Sequence, residues 1–145
     1  CIYDMINKIL LAYDGSENAD AALEYLIKFN TVLKAKVFII HVVDPTSLYS
    51  YGVDIPPQVY TDIRAHGKNI LDKAIEKLKN EGMEVEGMLL EGSPATTIIE
   101  NSDKLSVDMI ITGSRGLSTF RSALLGSVSA KLVHDSKVPV LVVKQ

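Results

Sequence analysis

Short, almost unbroken apolar runs alternate along this chain with stretches whose apolar residues recur at helical spacing, and few architectures accept that alternation. "KILLAY" (8–13), "KVFIIHVV" (36–43), "VDMIIT" (107–112) and "VPVLVVK" (138–144) read as strands, and "MEVEGMLLEG" (83–92) as a fifth that partly alternates. A strand without a polar face has to be covered on both sides. Ala19, Ala22, Leu23, Leu26 and Ile27 form one helical stripe behind Ser16, a good N-cap. Val59, Ile63, Ile70, Ala74 and Leu78 form a second, ending near Gly82. Ser93 and Pro94, a cap and a first-turn proline, open a third helix that runs to about Lys104, and Ser127 to His134 make a fourth. Five strands alternating with four helices predict an α/β fold, a parallel sheet wound on both faces with right-handed crossovers. The 145 residues fit one domain, 1–145, without internal repeat.

Composition removes several function classes. With 47% hydrophobic and 23% charged residues the chain reads as an ordinary globular domain. A net charge of −3 gives no electrostatic ground for a nucleic-acid or acidic-membrane partner, and no run reaches the ~18 apolar residues of a membrane span. Cys1 is the sole cysteine, so these residues hold no internal disulfide and no Cys-x-x-Cys zinc site. The opening stretch lacks the basic start and apolar core of a signal peptide, so the expected compartment is the cytoplasm.

Parallel sheets of this kind bind ligands beyond the carboxyl ends of their strands, where strand order reverses. Two polar stretches stand at such ends: "DGS" (14–16) after the first strand, and "GSRGLSTFRSALLGSVS" (113–129) after the fourth. If those strands are neighbours, both stretches line one crevice. A phosphate needs close approach of backbone N–H groups, which side chains obstruct, and gains from the positive end of a helix. Gly113 and Gly116 can give the approach, Gly126, Ser127 and Val128 open the last helix, and the hydroxyls of Ser127 and Ser129 add donors. Arg115 can lie over the phosphates or point to water. Glycines after a strand also fit plain tight turns, and a serine before a helix fits a plain cap. The nine-residue spacer that ends in a second glycine at a helix start favours the cradle.

The whole pattern, Gly-x2-Gly-x9-Gly-Ser from Gly113 to Ser127, resembles the nucleotide-binding signature of the universal stress protein family. "KILLAYDGSENADAALEYL" is similar to that family's opening strand, loop and helix, "VFIIHVVDP" to its second strand and "GSVSAKLVHDSKVPVLVVK" to its ending. The resemblance implies a Rossmann-like sheet in the order 3-2-1-4-5, of the adenine nucleotide alpha hydrolase type, a homodimer, and ATP at the switch point. It implies that Asp14 faces the nucleotide and the Mg²⁺ or Mn²⁺ on its phosphates, and that Val42 meets adenine through its backbone. It also implies that Gly113, Arg115 and Gly116 wrap the ribose and phosphates, and that Gly126, Ser127, Val128 and Ser129 hold the phosphate end. Ala12 and Tyr13, beside the base, stand where members often carry a small hydroxyl residue before the aspartate. The function expected from the resemblance is that of a dimeric, ATP-dependent regulator in stress response. A nucleotide-free interaction module of the same fold and a slow nucleotide-hydrolysing or nucleotidyl-transfer enzyme are the alternatives.

Other nucleotide and catalytic motifs fail on spacing. "DGSENAD" supplies one glycine where a dinucleotide fingerprint needs three, and Leu117 follows Gly116 where a P-loop needs lysine. The third strand ends in Glu91 and Gly92, without a phosphoacceptor aspartate, and "GSVSA" is no nucleophile elbow. His41 sits inside an apolar strand and reads as a packed histidine, while His134 suits a helix C-terminus. Asp14 fits either a crevice acid or a turn with Gly15, and Asp44 before Pro45 reads as a turn. The loop 44–57, with three prolines and two tyrosines, suits variability or a lid. No general base for water attack stands out, which predicts at most slow ATP hydrolysis. The apolar strand within 139–144 would form an adhesive edge unless it pairs with a second copy or is shielded by its own helices.

Overall fold

A computed structural model describes residues 5–46, 54–115 and 125–145. Its elements follow the predicted alternation: β1 (Lys8–Ala12), α1 (Glu17–Leu33), β2 (Lys36–Val43), α2 (Pro57–Asn80), β3 (Val85–Glu91), α3 (Pro94–Leu105), β4 (Met109–Gly113), α4 (Ser127–Asp135) and β5 (Val140–Val143). The strands form one parallel sheet in the order β3-β2-β1-β4-β5. This is the order that the resemblance implied. Among the described residues no helix is long and apolar enough to cross a membrane.

β1 lies at the centre, with Leu10 opposite Phe38 of β2 and Ile110 of β4. Ile9, Leu10 and Leu11 are wholly excluded from solvent. Because successive side chains of a strand point to opposite faces, they divide between two cores. Ile9, Leu11, Val37, Ile39 and Ile111 pack with Leu23 and Leu26 of α1 and Leu71 and Leu78 of α2. Leu10, Phe38, Ile40 and Ile110 pack with Ile98 of α3 and Leu132 of α4.

Local chemistry sets the element ends. The Ser16 hydroxyl accepts the Ala19 N–H at 3.1 Å and caps α1, whose first turn carries Glu17 and Asp20 beside the positive end of the dipole. At the other end Lys34 takes a left-handed conformation, and the buried Asn30 amide closes the exit through both polar groups of Ala35. Ser93 holds the N-cap position of α3 with an extended backbone, but its hydroxyl makes no capping bond; Pro94 at the first helical position starts the helix. β4 runs one residue beyond the predicted "VDMIIT" and takes in Gly113.

Leu11→Ala removes side-chain volume from the wholly buried strand at the sheet centre. It is expected to destabilise the fold by about 2–5 kcal/mol, seen as a lower urea midpoint with the m-value unchanged.

Candidate functional site

The sheet order reverses at β1: the chain leaves it toward β2 and β3, then returns to its other side as β4. A cleft of about 440 Å³ opens there, over the carboxyl ends of the strands. Ala12, Tyr13 and Asp14 line it from the end of β1, and Thr112, Gly113 and Arg115 from the end of β4. Ile40, Val42 and Asp44 line it from alternate positions on and just past β2, as period-two geometry requires. Pro94 and Ile98 of α3 complete an apolar wall with Ile40, Val42 and Val128, and Ala19 comes from the first turn of α1.

The first turns of three helices therefore face one space, those of α1, α3 and α4. Each brings the positive end of a dipole and first-turn N–H groups without partners inside the helix. Combined with the Arg115 guanidinium, this field suits an anion beside an apolar wall that suits a ring.

Ser114, buried just past β4, ties this end of the strand to β5, α4 and α1. Its N–H donates to the Val143 carbonyl of β5 at 2.9 Å, and its carbonyl accepts both the Gly126 N–H and the Ser129 hydroxyl at 2.7 Å. Its own hydroxyl donates to Asn18 Oδ1 of α1 at 3.3 Å. The start of α4 is thereby fixed to β4 although ten residues of chain separate Arg115 from Gly126. With the Gly126 N–H and the Ser129 hydroxyl engaged, what this turn offers a ligand is the N–H groups of Ser127, Val128 and Ser129 and the exposed Ser127 side chain.

Asp14 does two things at once. Oδ1 accepts the Ser16 N–H at 2.9 Å, closing a turn in which Gly15 has φ +81°, and the residue also lines the cleft. Asp44 likewise accepts the Thr46 N–H at 3.0 Å and lines the cleft. The Tyr13 hydroxyl donates to Asp20, and its pKa is pushed well above the ordinary phenol value, first by burial and then by that bond and the charges of Asp20 and Asp14. It is a neutral donor at physiological pH, not a base. Among the described residues no three His, Cys, Asp or Glu side chains gather to cage a metal ion.

The sequence model of the universal stress protein family matches residues 5–144. This chain belongs to that family. The universal stress protein YxiE of Bacillus subtilis is 33% identical over 97% of this chain and 100% of its own length. The solved structure of MJ0577, a universal stress protein of Methanocaldococcus jannaschii, superposes with a TM-score of 0.88 at 30% identity over 97% of each chain. A universal stress protein solved in complex with cAMP superposes at 0.69 with 26% identity, over 96% of this chain and 97% of its own.

In this universal stress protein, ten of the eleven residues expected at the site line the one cleft: Ala12, Tyr13, Asp14, Val42, Gly113, Arg115, Gly126, Ser127, Val128 and Ser129. The eleventh, Gly116, lies outside the described residues, as do residues 47–53 of the loop read as variable or as a lid. Ile40, Asp44, Pro94, Ile98, Thr112 and Ala19 also line the cleft and were not expected there. Period two from Val42 would have found Ile40 and Asp44; nothing in the spacing marks the α3 residues. Gly113 differs in its reason for being glycine. A Cβ there would lie 2.7 Å from the Asn18 carbonyl carbon and oxygen, so the missing side chain lets β4 meet the first turn of α1.

Because backbone cannot yield as a flexible side chain does, Gly113→Ala is expected to destabilise the fold by about 1–3 kcal/mol. Chemical denaturation of the variant beside the wild type measures it.

Proposed function

We propose that this universal stress protein binds ATP in the switch-point cleft and acts as a dimeric, nucleotide-dependent regulator. The observation that carries the reading is the juxtaposition, in one cleft, of an apolar wall of base size with the first turn of α4 and Arg115. The cAMP complex of a family member at 26% identity supports an adenine nucleotide as ligand. The base lies along Val42 and Ile98, the ribose near Asp14 and Gly113, and the phosphates over Ser127, Val128 and Ser129.

Mg²⁺ or Mn²⁺ fits the donor set in one way. The chain offers carboxylates at Asp14 and Asp44 but no three-ligand cluster among the described residues, and Mg²⁺ commonly pairs one or two carboxylates with phosphate oxygens. When bound, the ion offsets the charge of the phosphates beside these acids. Asp14 would hold it while Oδ1 keeps the turn to Ser16 closed.

The dimer reading rests on β5, an edge strand of the sheet whose Val140, Leu141 and Val142 are only half-buried within one chain. Pairing with the same strand of a second copy would cover its open hydrogen-bonding side. Light scattering at micromolar concentration should give twice the chain mass; a monomer would sink this part.

Titration of ATP by calorimetry should show one site per chain, with affinity falling when Mg²⁺ and Mn²⁺ are withheld. Gly126→Asp puts bulk and like charge at the start of α4 and is expected to weaken ATP by at least about 100-fold, equivalent to roughly 2.8 kcal/mol. Unchanged affinity in the variant places the site elsewhere. Absence of heat in the wild type favours an interaction module whose glycines serve only as turns.

A further inference from the structure

The ladder between β1 and β2 ends with Ala12 opposite Ile40, and its last rung runs from the Tyr13 N–H to the Ile40 carbonyl at 2.9 Å. In a parallel pair the rungs on one strand come from alternate residues, so the next would join the Val42 N–H to the Tyr13 carbonyl. That carbonyl instead accepts Nδ1 of His41 at 2.8 Å. A carbonyl can only accept, so Nδ1 carries the proton and the tautomer of the buried ring is set. His41 points to the opposite face of β2 from Ile40 and Val42. The Tyr13 carbonyl is thus engaged from the α2 side of the sheet, the face opposite to the Val42 side chain.

Gly67 of α2 makes room for this ring. A Cβ there would lie 3.1 Å from Cδ2 and 3.2 Å from Nε2 of His41. On its other side β2 stays paired past this point, with Val42 opposite Leu90 and the Gly92 N–H on the Val43 carbonyl at 3.1 Å. β2 therefore stays paired with β3 beyond the point where its ladder to β1 ends. Along β2 the Ile40 and Val42 polar groups face β1 and those of His41 and Val43 face β3, so the Val42 N–H and C=O look out past the end of β1 into the cleft that Val42 lines.

We propose that His41 is a positioning residue: by capturing the Tyr13 carbonyl it keeps the Val42 main chain out of the ladder, as a donor and acceptor edge that reads the base of the bound nucleotide. The inference rests on the adenine nucleotide reading of the cleft. One residue's N–H and C=O match the ring acceptor and exocyclic amine of a 6-aminopurine. A 6-oxopurine reverses both groups and leaves the Val42 pair unmatched, which is costly where water is excluded.

The test uses the full chain with ATP and inosine triphosphate, which carry identical phosphates and ribose. Wild type should prefer ATP by about tenfold or more, one step of roughly 1.4 kcal/mol. His41→Leu, similar in bulk but without a donor, should bring the preference close to unity. His41→Asn, whose amide N–H can stand in for Nδ1–H, should restore most of it, a rescue that loss of packing alone would not give. Independently of any variant, the Val42 amide of the ligand-free wild type should exchange its hydrogen far faster than that of Ile40. A protected Val42 amide, no preference in wild type, or an ATP preference unchanged in His41→Leu each overturns the proposal. Wild type that takes neither nucleotide overturns the reading of the cleft itself, and this inference falls with it.

Discussion

Burial of β1 on both faces is the constraint from which the rest of this universal stress protein follows. Ile9, Leu10 and Leu11 are wholly excluded from solvent, and neighbouring residues on the strand belong to different cores. Such a strand is stable only with a strand on each edge and a helix layer on each face. The chain meets that demand by building outward from β1 in one direction and then in the other. The reversal leaves the carboxyl ends of β1 and β4 side by side with no crossover above them, and the cleft is the space that results.

What makes that space suited to an anion is the arrangement of helix starts around it, and the arrangement depends on a few hydrogen bonds. Ser114 joins β4 to β5 through its N–H, to α4 through its carbonyl and to α1 through its hydroxyl. Asp14 folds back on the Ser16 N–H and sets where α1 begins. Asp14 therefore closes the turn and lines the cleft in one conformation.

The glycines show why similar residues carried different meanings. Gly15 is needed for its backbone, at φ +81°. Gly113 is needed for close packing, since a side chain would strike the backbone of Asn18. Gly126, at φ −71° and ψ 169°, has a backbone that any residue can adopt, so conformational freedom does not account for it. Spacing along the chain registers all three alike. The packing of α1 onto the end of β4 separates them.

Apolar period and punctuation, both local properties, determined the alternation of strands and helices, the double-sided burial of the sheet and the two polar stretches at strand ends. Periodicity works because each helix and strand has to bury a face set by its own geometry. The resemblance to the family named ten of the residues that line one cleft. The tertiary structure alone decided what joins residues far apart in sequence: the α3 contribution of Pro94 and Ile98 to the apolar wall, the Ser114 junction with Gly126 and Ser129, and the His41 bond to the Tyr13 carbonyl. No local pattern encodes those contacts, because each depends on where two separately formed elements come to rest against the same buried strand.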